Sequence, residues 1–84
     1  MEYWEVAENF VREMHRKYLL RVNKPGNTPE PWKDFSEELL IARLSEEIEE
    51  LEEAIKSGGN ISDELLDVAN FCMYLWAKLN MKKL

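Results

Sequence analysis

Apolar side chains recur along this chain at three- and four-residue spacing in three separate runs, and no run alternates with the two-residue period of a strand. In the first run, about residues 2–21, Tyr3, Ala7, Phe10, Met14 and Tyr18 fall on one helical face. The second, residues 36–57, opens on Ser36, an N-cap residue followed by acids, and stops at Ser57-Gly58-Gly59. Its apolar stripe is Leu40, Leu44, Ile48, Leu51 and Ile55. The third, residues 61–82, follows a second N-cap residue, Asn60. It carries Asp63 and Glu64 at the positive end of its dipole and lysines near the other. Residues 22–35 hold all three prolines and read as a loop. The pattern predicts an all-α fold: one domain over residues 1–84, a three-helix protomer.

The third helix is apolar around most of its circumference from Leu65 to Leu79, which requires burial on most sides. A chain of 84 residues cannot supply that by itself, since it buries only about 60% of its unfolded surface. A homodimer or dimer of dimers is therefore expected, with the three helices completing a helical bundle against a second subunit. Trp4 and Trp76 read as packing residues.

Composition removes several classes. No apolar run approaches the ~18 residues of a membrane span, and the start, Met1-Glu2-Tyr3-Trp4-Glu5, lacks the basic region of a signal peptide. A cytoplasmic protein is expected, with the lone Cys72 a reduced core thiol. One cysteine and one histidine, His15, cannot make a Cys/His zinc site, and His15 reads as a surface residue. The net charge of −6 argues against nucleic acid as a partner. Residues 36–57 hold eight glutamates against Arg43 and Lys56, and so carry the whole excess.

On a helical wheel Glu46, Glu49 and Glu53 lie opposite the apolar stripe and read as a solvated face. Glu47 and Glu50 stand on its shoulder, about 60° and about 120° from Leu44. In the third helix Glu64, Asp67, Asn70, Tyr74 and Lys78 share one strip about 120° wide. That strip is either a polar seam facing solvent or part of a site. Antiparallel packing across Gly58-Gly59 brings Glu47 and Glu50 toward Glu64 and Asp67. Four carboxylates there repel one another unless a divalent cation neutralises them, and an all-oxygen set suits Mg²⁺ or Mn²⁺. A di-iron bundle would need Glu-x-x-His on two helices, and Arg12 stands three residues before His15.

Glu46-Glu47-Ile48-Glu49-Glu50, a gap of 13 residues (51–63), then Glu64-Leu65-Leu66-Asp67 resembles the paired signature of MazG-like nucleotide pyrophosphohydrolases, which are all-α NTP pyrophosphatases. The flanks Arg43-Leu44-Ser45 and Leu51-Glu52-Glu53-Ala54-Ile55 are similar too, and the likeness covers about residues 36–76. Asp67-Val68-Ala69-Asn70-Phe71 resembles the subgroup that includes dATP/dGTP pyrophosphohydrolases. By this resemblance Glu47, Glu50, Glu64 and Asp67 match the Mg²⁺ ligands and so the catalytic centre, and Glu46 matches the leading glutamate. The chain departs from that subgroup in the first loop, where Lys24-Pro25-Gly26 and Trp32-Lys33 are further apart than in its short Lys-Gly…Trp loop.

The implied activity is Mg²⁺-dependent cleavage of a nucleoside triphosphate, a purine deoxynucleotide by preference, to a monophosphate and pyrophosphate. Lys78 is then a candidate for the β- or γ-phosphate or else a surface lysine. Asn70 and Tyr74 share its strip, and Asn70 would orient a ligand or contact the sugar. Trp32 either stacks on the base or plugs the core. The rival reading is a non-catalytic helical dimerisation module that binds a partner.

Overall fold

Residues 1–81 are described by a computed structural model. The helix boundaries follow local chemistry. The first helix, α1 (Tyr3–Val22), ends where Asn27 turns back and its Nδ2 donates to the carbonyl of Arg21 at 2.8 Å. Ser36 caps α3 (Glu37–Ser57) by accepting from the Leu39 amide at 3.1 Å. Gly58 ends that helix at φ 75°, a left-handed conformation that glycine adopts without a Cβ penalty. Asn60 then caps α4 (Ile61–Asn80), its side chain accepting from the Asp63 amide at 3.1 Å. The expected end of this helix at Lys82 lies outside the described residues.

The proline-rich segment is not wholly a loop. Pro31 opens a one-turn helix, α2 (Pro31–Asp34), because its fixed φ suits the first helical position and its missing N–H is not needed there. The Thr28 hydroxyl accepts from the Glu30 amide and donates to the Asp34 carboxylate, which closes the turn. Tyr18 donates to the Pro29 carbonyl at 2.6 Å and holds the segment against α1. Among the described residues the chain therefore has four helices rather than three, and no strand.

The hub is α4. It lies antiparallel to α3 across the Gly58–Asn60 turn, and α1 and α2 pack on its other sides. Leu40, Phe71 and Tyr74 form the fully buried centre, ringed by Tyr18, Trp32, Phe35, Leu44 and Leu75. Two expected stripes are only partly used. Ile48 and Ile55 on α3, and Tyr3 and Phe10 on α1, are exposed, whereas Leu40, Glu47 and Ala54 are the buried positions of α3. Trp4 and Trp76 are 71% and 58% exposed, so neither is the packing residue expected of it, and Cys72 is exposed rather than in the core.

The polar strip of α4 does not face solvent. Asn70 and Tyr74 are buried, while Leu65, Met73, Trp76 and Leu79 face outward. The aromatic body of Tyr74 fills the groove that α1, α2 and α3 leave around α4, and that selects the strip as the inner face. The result is an open fold. Its radius of gyration is 13.5 Å where about 12 Å is usual for this length. Its accessible surface is 6132 Å² where about 5,200 Å² is usual for a folded monomer of this mass. No described helix is long and apolar enough to cross a membrane.

Candidate metal centre

The antiparallel pair sets the register of the carboxylates. Glu47 and Asp67 stand ten residues either side of Ser57, and Glu50 and Glu64 seven either side, so each pair is level across the two helices. Residues three apart on a helix are surface neighbours, which places all four at one end of the α3–α4 seam. Glu47, Glu64 and Asp67 each present an oxygen within 4.8 Å of the other two. Glu47 is only 5% exposed. Its Oε2 and the Oε2 of Glu64 are buried with no hydrogen-bond partner.

A buried, unpaired carboxylate oxygen is costly, because it has given up water without a replacement. Burial pushes the Glu47 carboxyl up to about 7, helped by the charge of Glu50 beside it and opposed by Arg21. Glu64 is raised as well, first by burial and then by the charges of Asp67 and Glu50, with Lys17 acting the other way. Three carboxylates that converge in this way, two of them with an unpartnered buried oxygen, fit a hard divalent cation. Mg²⁺ or Mn²⁺ would be held by Glu47, Glu64 and Asp67.

Glu50 is exposed and stands outside that group, at its rim. Glu46 points away from it and lies 3.4 Å from Arg43, and Glu49 and Glu53 are exposed as expected. One turn on from Asp67, Asn70 is 3% exposed; its Nδ2 donates to the Met14 carbonyl at 3.0 Å and its Oδ1 is left without a partner. Tyr74 is completely buried, yet its hydroxyl has no partner, and burial pushes its pKa up to about 12. Trp32 is half-buried against Tyr74 at 5.9 Å between ring centroids. With Tyr18, His15 and Asn70 it lines a cavity of about 330 Å³ between α1, α2 and α4. His15 is otherwise a surface residue, stacked on Tyr18.

Lys78 is not brought to the carboxylates. It lies about 16 Å further along α4 than Asp67, and its Nζ donates to the Lys33 carbonyl at 3.4 Å, tying α2 to α4. The cations at the cluster come instead from α1. Arg21 Nη2 donates to Glu47 Oε1 at 3.2 Å, and Lys17 Nζ lies 3.4 Å from Asp67 and 3.9 Å from Asp63. Asp63 also accepts from Arg16 at 3.2 Å. The Arg21 guanidinium rests 4.9 Å from the centre of the buried Phe71 ring. Sequence reasoning overlooked Lys17 and Arg21. Their signal was spacing: with Met14 and Tyr18 they complete the inward positions of α1, where a cation has no place unless something paired awaits it.

Fold and cluster together define an all-α protein with a carboxylate trio between antiparallel helices. An uncharacterized protein from Archaeoglobus fulgidus is 60% identical over 86 aligned positions, which cover all of this chain and 92% of that protein. The crystal structure of a predicted coding region from Archaeoglobus fulgidus DSM 4304 superposes with a TM-score of 0.94 at 61% identity, covering 96% of this chain and 99% of that one. The chain belongs to the family of this archaeal protein. No protein-family model matches it.

Proposed function

We propose that this protein is a Mg²⁺-dependent nucleoside triphosphate pyrophosphohydrolase that releases a nucleoside monophosphate and pyrophosphate. The observation that carries the reading is the convergence of Glu47, Glu64 and Asp67 within 4.8 Å, with buried oxygens on Glu47 and Glu64 that lack a partner. It agrees with the resemblance of the two acidic motifs to MazG-like enzymes. A divalent cation held there supplies charge neutralisation of the phosphates and acidifies a bound water. The chain's own part is to hold the substrate and move a proton. One of the carboxylates, with Glu50 at the rim, takes the proton of the attacking water. The cavity walled by Tyr18, Trp32 and His15 suits a flat base, with Asn70 also in its lining. A purine deoxynucleotide is the proposed substrate and Mn²⁺ an alternative metal.

A homodimer, or a dimer of such dimers, is part of the proposal. The protomer exposes about 900 Å² more than a monomer of its mass, and a standard interface takes about 800 Å² from each partner. The outward apolar faces of α1 and α4 are where a second copy would sit. The same faces favour the rival reading, a dimerisation module without activity, but they leave the orphaned carboxylate oxygens unexplained. A panel of nucleotides with Mg²⁺, scored for pyrophosphate against phosphate, tests the proposal. No hydrolysis of any nucleotide, or phosphate as the sole inorganic product, would refute it.

A further inference from the structure

We propose that Lys17 and Arg21 form the clamp for the phosphate chain of the nucleotide, and that their ion pairs with Asp67 and Glu47 are the resting state of that clamp. The inference rests on reading the carboxylate trio as a divalent-cation site, and it assigns a role to two residues outside both acidic motifs.

The first support is charge. Glu47, Glu64 and Asp67 bring three carboxyl groups into a space 4.8 Å across, and α1 answers with two cations, at 3.2 Å from Glu47 and 3.4 Å from Asp67. A divalent ion on the same oxygens supplies the positive charge that Lys17 and Arg21 supply at rest. The two side chains then face a cation at short range and repel it, unless an anion stands between them. A phosphate group in contact with both metal and side chains resolves that repulsion. It is therefore metal loading that creates the demand for an anion at this place.

The second support is preorganisation. Lys17 and Arg21 are one turn apart on the same face of α1, and both remain partly accessible. Arg21 is held from below by Phe71, which is almost fully buried and fixed in the core, so the guanidinium keeps its position when Glu47 turns to another partner. Its planar fork matches two oxygens of one phosphate, while Lys17 offers a point charge to the next.

The third support is independent of the cluster. The Tyr74 hydroxyl is completely buried and has no hydrogen-bond partner. A buried O–H without an acceptor marks a place where a ligand oxygen would complete the structure. Lys78, the lysine on the same helix as Tyr74, is occupied by α2.

The test titrates the full chain with MgCl₂ alone, and then with inorganic tripolyphosphate at saturating Mg²⁺, by calorimetry. Arg21→Gln should bind Mg²⁺ at least as tightly as wild type, because a competing cation has gone. Its dissociation constant for Mg²⁺-tripolyphosphate should rise about ten- to hundredfold. Lys17→Gln should behave alike with a smaller change, and Arg21→Lys, which keeps charge but loses the fork, should fall between. Weaker Mg²⁺ binding together with unchanged tripolyphosphate affinity in Arg21→Gln would show a merely structural ion pair and overturn the clamp. If Arg21→Gln does not fold, unchanged tripolyphosphate affinity in both Arg21→Lys and Lys17→Gln overturns it equally. A wild-type protein that binds no Mg²⁺ removes the metal reading and the clamp together. A wild type that hydrolyses nucleotides, with KM unchanged in Arg21→Gln, removes the clamp alone.

Discussion

Arg21, in the last turn of α1, donates through Nη2 to Oε1 of Glu47 in the middle of α3, and this is the one ion pair joining those two helices among the described residues. Both helices otherwise pack on α4. The pair thus sits at a seam between two elements that depend on a third, which is where a ligand can enter without breaking a core.

Mg²⁺ should stabilise the protein, by about 2.7 kcal/mol at a hundredfold excess over its dissociation constant. Glu47→Gln removes one of the clustered charges while keeping the shape. It should melt no lower than wild type without metal, lose most of the Mg²⁺ response, and lose activity. Glu49→Gln, on the solvated face, should change none of these. Calorimetric melting of the three proteins with and without Mg²⁺ decides the matter, and an equal metal response in wild type and Glu47→Gln would remove the site.

A pH dependence follows from the same carboxyl. Unfolded, Glu47 titrates at 4.5; folded and metal-free, it is raised to about 7. Between those values the folded state holds more protons than the unfolded state, so stability falls as pH rises through the window. The melting temperature of the metal-free protein should therefore decline from pH 5 to pH 7 more steeply in wild type than in Glu47→Gln. Parallel profiles for the two would contradict the burial of this group.

Tyr74→Phe separates structure from binding. Its hydroxyl is buried and unpartnered, so removing it should leave the metal-free protein as stable or more stable, by up to about 1 kcal/mol. Affinity for nucleotide should nevertheless fall. Asn70→Leu should behave oppositely in stability: the Met14 carbonyl loses a donor at 3.0 Å, at a cost of about 1–3 kcal/mol. Urea unfolding and nucleotide titration of both variants provide the check.

Self-association is tested by light scattering. A mass near twice 10.0 kDa or four times it is expected at micromolar concentration, and Trp76→Glu, placing a charge on the outward face of α4, should shift the population toward monomer. A wild-type monomer would leave that apolar face without a partner.

The helices were legible because their ends carry local chemistry: Ser36, Gly58 and Asn60 act through bonds to residues at most four positions away. The one-turn α2 was hidden because the same prolines that break long helices also start short ones. The carboxylates could be gathered because two i, i+3 pairs flank a single tight turn, so geometry along one hairpin suffices. Lys17 and Arg21 could not be gathered that way. Arg21 meets Glu47 across 26 positions of sequence, and only the docking of α1 on α4 brings them together. Lys78 shares a helical strip with Asp67, and the strip was read correctly as one face. Its length along the axis was what separated the two.

The turn from Gly58 to Asn60 works as a ruler. One added residue there would rotate α4 by about 100° and advance it by about 1.5 Å relative to α3. The caps at both ends would survive, but Glu64 and Asp67 would no longer stand level with Glu50 and Glu47. The stretch from Lys24 to Pro29, by contrast, carries no member of the cluster, and extra residues there would disturb the bonds of Asn27, Thr28 and Pro29 that seat α2 against α1, without changing the register of α3 on α4. Insertions of equal size should thus differ in kind: before α2 they would loosen the seat of that short helix, and between α3 and α4 they would be fatal to cation binding although both helices still form.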